Sequence, residues 1–157
     1  MEFREATERD AEGIAEVLKA SYNMSSTEEA VQAFLTEIKK EYRYIVAVDN
    51  GVIIGFTSWQ IHGLPKHGLF ELDRIAVLPT HRGSGVAKQL FDALVQAADA
   101  KYKEYGFRAR KLILYTHASN TRAHAFYEKM GLKREDALLK DHYYPGVDEV
   151  IYVKFFE

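Results

Sequence analysis

The chain predicts an α/β domain built on a mixed central sheet flanked by helices, on three observations. Apolar residues recur at helical spacing in four segments. β-branched and aromatic runs fill the intervals between them. A glycine-rich loop, Arg82-Gly83-Ser84-Gly85-Val86-Ala87, joins a strand-like run to a long helix-like one. A length of 157 residues suits a single domain over 1–157 with one substantial core.

Residues 2–6 read as a first strand. Thr7 followed by Asp10 resembles a capping box, with Asp where Glu is usual, and opens a helix whose apolar stripe is Ile14, Val17, Leu18 and Tyr22. Asn23-Met24-Ser25-Ser26 breaks that helix. Ser26 with Glu29 caps a second one, which buries Ala30, Val31, Phe34, Leu35 and Ile38. Residues 44–48 and 52–59 are β-branched and aromatic, and Asp49-Asn50-Gly51 between them is a strong hairpin signal. Residues 61–68 read as a loop and 69–78 as a strand. In that strand Leu72, Ile75 and Val77 are spaced three then two apart, which alternation forbids; a β-bulge near Asp73 or Arg74 restores the register.

From Gly83 a helix runs through Leu90, Phe91, Leu94, Val95, Ala98 and Tyr102 and stops at Gly106. Residues 111–116 form a strand. Residues 120–130 form a helix with Ala123, Phe126, Tyr127 and Met130 on its apolar face, closed by Gly131. Two final strands fall at 132–138 and 149–156, separated by a loop over 140–148.

Bulk properties narrow the function. Lys plus Arg number 21 and Asp plus Glu 23, a net charge of −2, so the basic footprint of a nucleic-acid binder is missing. With no cysteine there is neither a disulfide framework nor a thiolate nucleophile. None of the six histidines has metal-ligand spacing, so no metal is expected. No apolar run approaches the ~20 residues that span a bilayer, so no membrane partner is expected. Met1-Glu2-Phe3-Arg4-Glu5 lacks the basic-then-apolar pattern of a secretory signal, and a cytoplasmic protein is the expectation.

The glycine loop leaves backbone N–H groups bare where a helix begins, and the positive end of that helix points at it, which makes an anion site. The arrangement G-x-x-x-x-G-K-[ST] is absent, and a dinucleotide fingerprint needs a small residue where Lys88 stands. What fits is R-x-x-G-x-A, carried by Arg82, Gly85 and Ala87 directly after the strand Glu71-Leu72-Asp73-Arg74-Ile75-Ala76-Val77. A second match is Asn120-x-x-Ala123-x-x-Phe126-Tyr127-x-x-x-Gly131. In this order, each after a predicted strand, the two motifs resemble the GNAT acyltransferase superfamily over nearly the whole chain.

The resemblance implies that the strands at 69–78 and 111–116 run parallel and splay apart. The pantetheine arm of acetyl-CoA then lies in the V along Ile75, Ala76 and Val77, with Asn120, Ala123 and Phe126 on the far side. Its pyrophosphate accepts bonds from Arg82, Gly83, Ser84, Gly85, Val86 and Ala87, with Arg82 or Lys88 adding charge. The resemblance also implies acyl transfer to an amine by direct attack. A Lys-like amine has a pKa of about 10.4, so a base must first remove a proton. Tyr127 matches the family tyrosine whose hydroxyl points at the sulfur and serves the leaving thiolate. The N–H of Val77 stabilises the oxyanion. Glu71 and Asp73 are the candidate bases, with Glu71 preferred.

His124 is read as exposed, His81 as a loop decoration, and His117 as able to reach the acceptor side beside Tyr115. By the resemblance, His62, His67 and His142 sit on loops bordering the acceptor pocket. The segment His142-Tyr143-Tyr144-Pro145-Gly146 resembles the region where protein N-terminal acetyltransferases hold a peptide terminus. Those enzymes often carry glutamate where Tyr115 stands. The expected acceptor is a small primary amine, with a protein N-terminus as the alternative. A non-catalytic acyl-CoA-binding module is the reading from a different class, and a homodimer is compatible with all three.

Overall fold

A computed structural model describes residues 1–157. Its strands are β1 (Glu2–Glu5), β2 (Arg43–Asp49), β3 (Val52–Ile61), β4 (Leu69–Val77), β5 (Lys111–His117), β6 (Lys133–Tyr144) and β7 (Val147–Phe155). The helices are α1 (Ala11–Ser21), α2 (Thr27–Lys39), α3 (Val86–Glu104) and α4 (Thr121–Lys129). The strands form one mixed sheet in the order β1-β2-β3-β4-β5-β7-β6. By its contacts the chain divides into two compact units, Met1–Gln60 with Leu72–Ala100, and Ile61–Glu71 with Lys101–Glu157.

In the first unit, β2 and β3 pair antiparallel with Asp49 opposite Val52. Asn50 and Gly51 both have positive φ, 50° and 77°, so the two-residue loop is the type I′ turn that Asn-Gly encodes. The Asp10 carboxylate accepts from the Thr7 N–H at 2.8 Å, as the capping pattern predicts, and also binds Arg4. Ser26 Oγ accepts from the Glu29 N–H at 3.1 Å and caps α2. Ile14, Val17 and Leu18 of α1 and Ala30 and Phe34 of α2 pack in one buried cluster with Tyr44, Val46, Phe56 and Ala76. Phe34 meets Tyr44 edge-on at 4.9 Å, and Tyr44 stacks on Phe56 at 5.3 Å.

A charged group crosses this cluster. Arg74 Nη1 donates to both Glu37 oxygens at 2.9 Å, and the Tyr44 hydroxyl donates to Glu37 as well. Burial, then the Glu37 charge, push the Tyr44 phenol well above its ordinary range. Burial alone would weaken the Arg74 cation, but Glu37 and Asp73 outweigh it and hold the guanidinium charged.

The second unit is organised on β5. Leu69, Phe70 and Glu71 of β4 pair parallel with Lys111, Leu112 and Ile113, and β7 pairs antiparallel on the other side, His117 opposite Glu149. The α3-facing side of β4 is even at Phe70, whose ring lies 6.3 Å from that of Tyr102. It is odd at Val77, which sits with Leu90 against Gly55.

Three expectations need correction. The helix predicted from Gly83 begins at Val86, because Gly83 and Gly85 have φ of 80° and 84°, outside the helical region. The loop predicted over 140–148 is mostly strand: β6 runs on to Tyr144 and β7 starts at Val147. Extra residues in β6 shift its register twice, and Asp141, with φ 48°, closes the turn by accepting from the Gly146 N–H at 2.7 Å. His124 is buried, not exposed.

Candidate active site

The loop Arg82–Val86 lies in the first unit, between β4 and α3. Gly83 and Gly85 both have positive φ, and a Cβ built on either glycine meets nothing within 4 Å. The first helical bond of α3 runs from the Gln89 N–H to the Gly85 carbonyl at 3.1 Å. The N–H groups of Val86, Ala87 and Lys88 precede it and, being in the first turn, have no carbonyl four residues back to bond. This is an open, glycine-lined cradle at the positive end of a helix of 19 residues.

The basic side chains of the loop and of the first turn of α3 have partners within the chain. Arg82 Nε donates to the Val77 carbonyl at 3.0 Å, fastening the loop to the end of β4. Lys88 Nζ pairs with Asp92 at 2.8 Å along the exposed side of α3. The Ser84 hydroxyl donates to the His81 carbonyl, and His81 itself lies 3.2 Å from the Asp49 carboxylate. Of the strand residues assigned to the pantetheine, the Ile75 carbonyl accepts from the Tyr22 hydroxyl at 3.4 Å. The side chains of Ala76 and Val77 are buried. Burial pushes the Tyr22 phenol up to about 12.

The second motif lies in the second unit. Asn120 caps α4, its Oδ1 accepting from the Ala123 N–H at 3.1 Å. Tyr127 is buried among rings, 5.5 Å from Phe126 and 6.0 Å from Tyr152. His124, three residues before Tyr127 and so on the same side of the helix, donates from Nε2 to the His117 carbonyl at 2.9 Å and packs its ring on Tyr152. That bond explains why a polar residue is buried: it docks the first turn of α4 onto the end of β5.

The two β4 carboxylates have different surroundings. Asp73 is 3.8 Å from Arg74 and 3.5 Å from the Ser58 hydroxyl. Glu71 is buried at 7% exposure. Its parallel partner is Ile113, so Tyr115, one strand repeat further on, shares its side of the sheet. Burial, then the Glu71 charge, push the Tyr115 phenol above its ordinary range. His142 and Tyr143 extend this group: the His142 ring lies 5.6 Å from Tyr115 and 4.6 Å from Tyr143. The opposite side of β5 carries the buried Leu112 and Leu114, and Leu114 pairs with Tyr152, the ring that Tyr127 touches.

Sequence reasoning missed one pair altogether. Glu149 is 3% exposed and bonds Nδ1 of His117 directly across the β5–β7 ladder. Only the register brings them together, and no local spacing announces it.

The chain belongs to the acetyltransferase (GNAT) family, whose model matches residues 11–132. It is 34% identical over 98 residues to a mycothiol acetyltransferase of Pseudarthrobacter chlorophenolicus, a match covering 59% of this chain and 28% of that protein. The chain thus spans little more than a quarter of the length of that relative. It is 30% identical over 118 residues to the uncharacterized N-acetyltransferase YjcF of Bacillus subtilis, covering 75% and 71% of the two chains. Its fold matches the ribosomal-protein-alanine N-acetyltransferase of Brucella melitensis with a TM-score of 0.76 at 18% identity, over 99% and 100% of the chains. Acetyl-CoA is the usual co-substrate of the family. No helix is long and apolar enough to cross a membrane.

Proposed function

We propose that the whole chain is one catalytic domain that moves an acetyl group from acetyl-CoA to the primary amine of a small molecule in the cytoplasm. The observation that carries this reading is the open loop of Gly83 and Gly85 at the start of α3, where unbonded first-turn N–H groups and free space suit the diphosphate of coenzyme A. Arg82 keeps the loop in place through Val77, and backbone donors do most of the binding.

Chemistry at the thioester falls to the second unit. Glu71 faces the acceptor amine: it is buried beside Tyr115, and a carboxylate there draws in an ammonium and accepts its proton. The amine attacks the thioester carbonyl, a C–N bond forms, the C–S bond breaks, and the Tyr127 hydroxyl protonates the leaving thiolate. Glu71 and Tyr127 belong to opposite sides of the β5 plane. Addition of the amine gives a tetrahedral adduct, and its collapse expels the thiolate toward Tyr127. A protein N-terminus is the second reading, favoured by the exposure of Tyr143 and Tyr144 at 58% and 63%.

Calorimetric titration with acetyl-CoA, run beside ATP and NAD, is the test. Micromolar binding of acetyl-CoA alone supports the assignment. Heat with a nucleotide and none with acetyl-CoA overturns it. A free-thiol assay with putrescine, L-aspartate, alaninamide and an alanine-led tetrapeptide then separates the two acceptor readings. Binding without transfer to any of them would mark a regulatory acyl-CoA-binding module.

A further inference from the structure

Acetylation of an ammonium removes two protons from its nitrogen, one before attack and one from the tetrahedral adduct. Glu71 is a single acceptor with little exposure to water. A second proton acceptor stands on the same side of the sheet. Glu71 pairs with Ile113, strand repeats of two carry that side on to Tyr115 and His117, and Glu149 lies directly opposite His117. The Glu149 carboxylate is buried at 3% exposure, whereas the His117 side chain is 47% exposed. A carboxylate only accepts, so His117 Nδ1 carries the hydrogen of their bond, and the basic lone pair is left on Nε2 at the open side of the ring. A buried acid that fixes the tautomer of a solvent-facing imidazole is the arrangement that makes a histidine a directed base.

We propose that His117, oriented by Glu149, is a second general base for the acceptor amine, an inference that rests on the acyl-transfer reading. Nε2 takes a proton from the ammonium or the adduct, directly or through one water, and the resulting imidazolium, stabilised by Glu149, releases it to solvent. The other nitrogen proton replaces the one Tyr127 gives to sulfur, so one proton is released per turnover. Other titratable groups on the elements beside His117 are Tyr115 on β5, against which His142 of β6 packs, Asp148 on β7 and His124 on α4, the last bonded to the His117 carbonyl.

The test uses the full chain and the best amine of the panel above. In the wild-type protein kcat/KM for the amine should fall on the acid side of its pH profile. His117→Gln should abolish that limb and lower kcat/KM by about 100-fold, leave acetyl-CoA affinity within twofold, and regain part of the rate with added imidazole. Glu149→Gln should lower kcat with the limb displaced. By nitrogen-resolved NMR the neutral His117 ring should carry its proton on Nδ1, a readout independent of turnover. Retention of rate and limb in His117→Gln, an Nε2–H tautomer, or a loss that imidazole does not rescue and that weakens acetyl-CoA binding would each overturn the assignment. Absence of transfer to every amine by the wild-type protein would instead count against the acyl-transfer reading itself.

Discussion

Replacing Gly85 by alanine separates the cost of backbone conformation from the cost to a ligand. Gly85 has φ 84° and Gly106 has φ 83°, and a Cβ on either meets nothing within 4 Å. The two substitutions therefore carry the same intramolecular penalty, the left-handed strain of an L-residue, roughly 1–2 kcal/mol. For a chain of this length that lowers Tm by about 2–8 °C in each variant. Only at Gly85 does the added methyl group enter the space assigned to a diphosphate. Gly85→Ala should weaken acetyl-CoA binding at least about 10-fold, or 1.4 kcal/mol, by titration calorimetry, while Gly106→Ala leaves the affinity within twofold. Equal thermal shifts with equal, small changes in affinity would refute the cradle assignment, because the loop would then be a turn and nothing more.

Tyr127→Phe should lower kcat about 10-fold or more with little change in acetyl-CoA affinity; unchanged steady-state turnover would remove the hydroxyl from the mechanism. Phe34→Ala deletes a ring from the buried cluster beneath α1 and α2, and urea unfolding should show a loss of about 3–5 kcal/mol. The Asp10 carboxyl is held below its usual range by the two bonds from Arg4, against the cost of burial, and by the Thr7 N–H. A depressed folded-state pKa contributes stability that is present above about pH 4 and lost as the pH falls through the folded value. Asp10→Asn should thus start about 1–2 kcal/mol lower at neutral pH and lose less than the wild type on acidification, as read from unfolding free energies at several pH values.

What was legible in the sequence is what local chemistry decides. Asn50-Gly51 names its turn, Ser26 and Asn120 name their helix starts, and the glycines of the cradle need no tertiary partner to adopt positive φ. The strand predicted over 132–138 is the first half of β6; the second half reads as a loop because almost all of its residues are exposed, so no buried face marks it as strand. His124 was misread because its partner is a carbonyl seven residues upstream, and Glu149 went unnoticed because its partner is 32 residues away. Pairings of that kind appear only when register is known.

The outermost strands bear on how the protein behaves in concentrated solution. β1 is four residues long and carries Glu2, Arg4 and Glu5. β6 is long, but its two register shifts and the left-handed Asp141 break up the row of amide donors and acceptors that an incoming strand would need. Neither margin offers a straight template for cross-β growth. Extension of the sheet from one copy of the chain into the next is thus disfavoured at both margins.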